Sequence, residues 1–176
     1  SVADTYNNIG TVHYSKVEYD KALEFYQKSL AIDLVKLGKD HTSVADTYKN
    51  IAIVHNEKAE YDKAMLFHHK SLAIDLVKRG KDHPSVADTY MNIGVVHWRK
   101  AEYDKALEFY HKSLDINLVK LGKDHPSVAR TYYNMAIAYW KLKNVIKEKE
   151  LLRKAYAIQL EKLGKDHPDT KDTAKA

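Results

Sequence analysis

The chain has 176 residues, 44% hydrophobic and 30% charged, with a formal net charge of +5, 10 histidines and no cysteine. The missing cysteine excludes a disulfide framework, a thiolate metal site and a cysteine nucleophile. No apolar run is long enough to span a membrane and no signal or transit segment opens the sequence, so a cytoplasmic protein is expected.

One stretch sets the register. Gly38-Lys39-Asp40-His41-Thr42-Ser43-Val44-Ala45 returns as Gly80-Lys81-Asp82-His83-Pro84-Ser85-Val86-Ala87 and as Gly122-Lys123-Asp124-His125-Pro126-Ser127-Val128-Ala129. A partial copy, Gly164-Lys165-Asp166-His167-Pro168-Asp169, follows, always 42 residues on. A fixed period of this size predicts a solenoid or other repeat architecture, with one supersecondary unit per copy. The copies span 1–42, 43–84, 85–126 and 127–168, and 169–176 reads as the start of a truncated further helix. Ser1 already stands in register, as expected of a piece cut from a longer array.

Basic residues number 5 against 6 acidic in the first copy, 7 against 6 in the second and 6 against 6 in the third. The fourth has 9 against 4, so the positive surplus is terminal. A nucleic-acid reader needs a basic stripe along its length, which three near-neutral copies do not supply.

Each copy reads as two helices. In the third, Val86, Tyr90, Ile93 and His97 recur at helical spacing over Ser85–Lys100. Pro84 and Ser85 suit a helix start, Asp88 stands at capping-box distance from Ser85, and Asp82, His83 and Ser85 all qualify as the cap. A second helix is predicted from Tyr103 or Asp104 to Leu121. Its two apolar stripes, Ala106-Phe109-Ser113-Ile116 and Leu107-Tyr110-Leu114-Leu118-Leu121, make a face broad enough for two neighbours. Gly122 is expected to stop it in the left-handed conformation. With only Ala101-Glu102 and their neighbours between them, the helices must be antiparallel. Gly94, Ala106 and Ser113, like Ala52, Ala64 and Ser71, mark close approach; Gly10 and Gly94 alternate with Ala52 and Ala136, so that site needs a small residue.

Tyr90, Ile93, Gly94, Tyr103, Ala106, Tyr110, Ser113 and Leu114 fall in the order and spacing of the tetratricopeptide repeat signature, which this chain resembles throughout. Leu118 stands where that repeat has its terminating proline. The longer unit, with Gly…Asp-His-Pro between copies, looks like the kinesin light chain form. The resemblance implies an α-solenoid of antiparallel helix pairs wound as a right-handed superhelix, whose first helices line a concave, protein-binding groove. The fourth copy departs from the pattern: Glu148 replaces the small alanine, Lys149 replaces leucine and Val145-Ile146 replace Tyr-Asp, as expected of a polar cap.

The copies differ mainly at Asn7/Lys49/Met91/Tyr133, Thr11/Ile53/Val95/Ile137, Tyr14/Asn56/Trp98/Trp140 and Ser15/Glu57/Arg99/Lys141. Within a copy these lie at i, i+4, i+7 and i+8, one helical face, and the resemblance places that face in the groove. Trp98, Trp140, Tyr14 and Tyr133 are hot-spot residue types or, alternatively, packing between repeats. Lys49, Arg99, Arg130 and Lys141 are either receivers of acidic ligand groups or solvated charge, opposed by Asp4, Asp46, Asp88 and Glu57. Asn8, Asn50, Asn92 and Asn134 never vary. A carboxamide both donates and accepts, so the four either clamp an extended peptide's backbone, as the resemblance implies, or tie each helix to the next.

His41, His83, His125 and His167 recur once per copy beside an aspartate and cannot converge on one ion; helix capping accounts for them. His13, His55 and His97 take a buried aromatic's place, while His68, His69 and His111 lie on second helices, the last two a weak metal pair at best. There is no phosphate-cradling glycine loop and no nucleophile positioned beside a base, so no enzyme and no cofactor are expected. The expected role is a scaffold that binds an extended peptide or partner helix, with no nucleic-acid or membrane partner. The alternative is a structural segment that self-associates through its repeat ends, or a spacer or sensor array in a larger receptor.

Overall fold

A computed structural model describes residues 1–175, and among them the chain is helical without a strand. The helices are α1 (Val2–Ser15), α2 (Tyr19–Lys36), α3 (Thr42–Glu57), α4 (Tyr61–Lys78), α5 (Pro84–Arg99), α6 (Tyr103–Leu121), α7 (Pro126–Lys141), α8 (Val145–Lys162) and α9 (Pro168–Lys175). They group into two compact units, Ser1–Lys81 and Asp82–Ala176, each with two helix pairs. In the first unit α1 packs on α2 and α3 on α4, with α3 also seated on α2; in the second α5 packs on α6, α7 on α8, and α7 also sits on α6.

The histidines cap the helices. The Nδ1 atoms of His41, His83 and His125 accept from the backbone N–H of Ser43, Ser85 and Ser127 at 3.1 Å, and His167 accepts from Asp169 at 3.2 Å. A neutral imidazole has one such acceptor nitrogen. Only α1 uses serine, with Ser1 and Asp4 in a reciprocal capping box. Ser85 is instead buried, its carbonyl taking the Thr89 hydroxyl at 3.0 Å. Gly122 has a positive φ of 86° but an extended ψ of 161°, so it turns the chain without entering the left-handed helical well expected of it.

The turn inside each copy is held differently. Val17, Ala59, Ala101 and Lys143 all have φ between 58° and 63°, a conformation that costs roughly 1–2 kcal/mol for a residue with a Cβ. Beside three of these turns a histidine lies flat on a phenylalanine, His13 on Phe25, His55 on Phe67 and His97 on Phe109, at 5.2–5.5 Å. The same rings bond through Nδ1 to Glu18, Glu60 and Glu102, the residues that open the second helices, at 2.5–2.7 Å. The histidine bond comes first in holding Glu18 and Glu102 below the usual carboxylate range; for Glu60 Lys63 leads and His55 follows. The fourth copy has Tyr139 and Leu151 in the ring positions, and Asn144 caps α8 through Lys147 N–H at 3.2 Å.

Small residues sit where expected. A Cβ built on Gly10 would lie 2.7 Å from the Tyr26 ring, and one on Gly94 only 2.5 Å from Tyr110. At the position of these tyrosines the second copy has His68 and the fourth Leu152, each opposite an alanine rather than a glycine. His68, expected merely to lie on a second helix, is fully buried. Neither of its ring nitrogens meets a hydrogen-bond partner, and burial pushes it down to about 3, so the imidazole is neutral.

A second column of the copies is buried and polar: Asp33, Asp75, Asn117 and Gln159. In the second copy Arg79 answers it. Its guanidinium lies 3.1 Å from Asp75 and grips Asp46 of α3 through both terminal nitrogens, at 2.9 and 2.7 Å. Burial would raise Asp46, but Arg79 and Lys49 hold it below its ordinary value. The first copy has Leu37 in place of Arg79, and Asp33 is pushed up, by burial first and the charge of Asp4 second.

An acid whose folded value is raised loses stability as the pH climbs from its unfolded value through the folded one. Asp33→Asn, the residue the third copy carries, is therefore expected to raise the thermal midpoint at neutral pH. The gain should shrink to nothing in acid, where Asp33 is protonated in both states. Melting curves of the two chains across that range check it; a gain independent of pH would assign the effect to packing instead.

Candidate binding faces

In the first unit α1 and α3 run side by side. Asn50 donates through Nδ2 to Asn7 Oδ1 at 2.9 Å, and Asn7 donates to Thr47 Oγ1 at 3.4 Å. In the second unit Asn134 donates to Met91 Sδ at 3.1 Å. Two of the four invariant asparagines thus tie a first helix to the one before it, through the residue 43 positions earlier. Each bond takes one of the two amide N–H groups. Asn8 is exposed and Asn92 half-buried.

The variable stripe divides by depth. Met91 and Asn56, expected on the groove surface, are buried; Met91 is covered by α7, and belongs to the core with Ala106, Tyr110 and Met135. Lys49 has a side chain only 15% exposed, 3.5 Å from Asp46. Tyr14 tilts against Tyr19 at 5.9 Å, and Thr11 shares a hydrogen bond with the Tyr26 hydroxyl at 3.2 Å. Trp98 is packed against the core with Val95, its ring edge-on to Tyr103 at 6.3 Å. Ile53 and Arg99 are half-buried. Arg130 pairs with Asp88 at 3.2 Å.

Trp140 is different. It is 56% exposed, and Lys141 places its ammonium 4.4 Å from the ring centre. Trp140, Tyr133 and Ile137 of the stripe line a cleft of about 390 Å³ with Ala136, Glu148 and Leu152. Glu148 stood out in the sequence as a break in the small-residue column; its place in a cleft wall was not evident there. Glu148 and Leu152 stand in that wall where the third copy has Ala106 and Tyr110.

Among the described residues no three His, Asp or Glu side chains gather where an ion would be held, and no helix is long and apolar enough to cross a membrane.

Antiparallel helix pairs, repeated in sequence and stacked so that each first helix seats on the preceding second helix within a unit, define a helical repeat protein of the α-solenoid class. The chain belongs to the tetratricopeptide repeat family, whose model matches residues 1–76, 52–117 and 85–161. Its repeats are like those of kinesin light chain: a kinesin light chain array of nearly identical TPR-like repeats from Podosopora anserina superposes with a TM-score of 0.78 at 20% identity, over 97% of this chain and 81% of that one. BtubC (BKLC) from P. vanneervenii gives 0.81 at 23% identity, over 94% of this chain but only 66% of its own length. The apo form of RapI gives 0.75 at 19%, over 96% and 45%. At these identities the likeness is one of fold. A search of curated proteins finds no match.

Proposed function

We propose that this chain is a protein-interaction scaffold whose first-helix faces hold an extended peptide or a partner helix, and that it has no catalytic role. The observation that carries this reading is the cleft at Tyr133, Ile137 and Trp140. There the stripe along which the copies diverge is open, apolar and aromatic, in the size range of ligand pockets. The membership of the family supports a scaffold in general; the cleft supports this location. Packing pressure keeps core positions alike, whereas Tyr133, Ile137 and Trp140 differ from their counterparts Asn7, Thr11 and Tyr14 while remaining in part accessible. In this reading the fourth copy is both cap and contact point. Asn8 and Asn92 contribute backbone contacts, while Asn50 and Asn134 hold neighbouring helices at the spacing a ligand meets.

A peptide-library screen of the chain against a Trp140→Ala chain tests it. Truncating a central aromatic anchor typically costs 2 kcal/mol or more, a loss of roughly thirtyfold in affinity. Peptides retained equally well by both chains would place the binding surface elsewhere.

A further inference from the structure

The second copy closes its helix pair with a different kind of side chain. In the first and third copies a tyrosine ring, Tyr26 or Tyr110, lies against Gly10 or Gly94. In the second, His68 of α4 and Ala52 of α3 hold those two places. Neither a tyrosine nor the leucine of the fourth copy gains a charge in mild acid; an imidazole does. His68 is 0% exposed, and neither of its nitrogens has a hydrogen-bond partner. A proton on this ring would therefore be an unpaired charge shut away from water.

The surroundings offer that charge nothing. The helix packed on α4 is α3, and the charged groups that act on the ring are Lys49 of α3 and His69 of α4 itself, both opposed to a positive charge. The carboxylates nearest at hand are taken. Asp46 of α3 is held by Arg79 and Lys49, and Asp75 of α4 lies against Arg79. His55, the other buried histidine of this copy, is bonded to Glu60 and stacked on Phe67. His13 and His97 repeat that arrangement in the first and third copies, so it does not set the second copy apart.

We infer that the second copy is an acid-triggered joint: on mild acidification α4 parts from α3 so that His68 takes up a proton, while the tyrosine-closed pairs α1–α2 and α5–α6 stay shut. In the closed pair burial, and after it the charges of His69 and Lys49, push His68 from its ordinary 6.5 down to about 3. A base depressed in this way contributes stability above 6.5 that is lost as the pH falls toward 3. At about pH 5 the open form is favoured roughly thirtyfold over its share at neutral pH. Opening of one copy is open to an array because each copy touches only its neighbours, and α3 keeps its seat on α2. Asp33 on α2 acts with the opposite sign. Raised by burial and by Asp4, it tightens α2 in acid while His68 loosens α4.

Hydrogen exchange of the full chain tests this, read on peptides from α2, α4 and α6 at about pH 7.5 and about pH 5 and corrected for the intrinsic rate. Protection in α4 is expected to fall roughly thirtyfold between the two, with no comparable fall in α2 or α6. His68→Leu recreates the Ala136–Leu152 pair of the fourth copy and should keep α4 protected at both values. Ala52→Gly combined with His68→Tyr recreates the Gly94–Tyr110 pair and should do the same, whether or not leucine packs well. In the folded parent chain the Hε1 resonance of His68 should remain that of a neutral imidazole at about pH 5. An α4 as protected in acid as at neutral pH overturns the proposal, as does an equal loss in all three helices. So does a loss that persists in both variants, or a folded His68 that is already protonated at about pH 5. None of these readouts depends on peptide binding.

Discussion

Gly94→Ala is expected to destabilise the second unit by up to about 2 kcal/mol. Overpacking typically costs about 1–3 kcal/mol, and alanine returns about 1 kcal/mol through helix propensity. The new Cβ would lie 2.5 Å from the Tyr110 ring, which is fully enclosed, so the strain falls on the packing of α5 against α6. The chain itself supplies the rescue. Its fourth copy carries alanine at the glycine position and Leu152 at the tyrosine position, so Gly94→Ala combined with Tyr110→Leu should recover part of the loss. Urea midpoints of the two single variants and the double variant give the coupling between the sites. A single variant as stable as the parent, or a cycle with no coupling, would show that the ring moves aside freely.

Arg79→Leu should be costlier, about 3 kcal/mol, the lower end of the range for breaking a buried ion pair. The leucine is the residue found at this position in the other three copies, and its size is not the difficulty. Removing the guanidinium leaves Asp75, fully buried, without the cation 3.1 Å away, and takes two hydrogen bonds from Asp46. Adding Asp75→Asn reproduces the Asn117–Leu121 combination of the third copy and is expected to restore most of the stability. Denaturant unfolding of the single and double variants decides the matter; a loss below about 0.5 kcal/mol in the single variant, the scatter of ordinary surface substitutions, would mean that water reaches Asp75.

What the sequence made legible was whatever repeats at a fixed distance. The period located the helices to within about a residue, because proline, histidine and glycine act at one position each: α6 was expected from Tyr103 or Asp104 to Leu121 and spans Tyr103–Leu121. Small residues at Gly10, Gly94, Ala106 and Ser113 were readable for the same reason. Depth was harder to read. Met91 lies on the diverged stripe by helical angle, yet the next first helix covers it, and no property of its own helix announces this. Asp33 and Asn117 look like surface residues until the second helix is seen to be enclosed on two sides. The positive φ of Val17 and Lys143 was invisible because closure of the turn imposes it, whatever residue is there. In the candidate site, the aromatic residues were evident and the cleft was not. Its walls come from α7 and α8 together, and from substitutions that the sequence presented as signs of a cap.

The pairing of Gly94 with Tyr110 and of Ala52 with His68 also limits how such an array can be lengthened. Copies this alike invite recombination between their coding segments. A crossover in the Gly-Lys-Asp-His stretch adds or removes a whole copy and keeps every glycine with its own tyrosine, and Arg79 with both Asp46 and Asp75. A crossover in the turn within a copy would join α3 to α6, setting Ala52 against Tyr110 and leaving Asp46 without Arg79. The stretch that punctuates the fold is therefore also the seam at which the array can change length while the contacts inside each copy are kept.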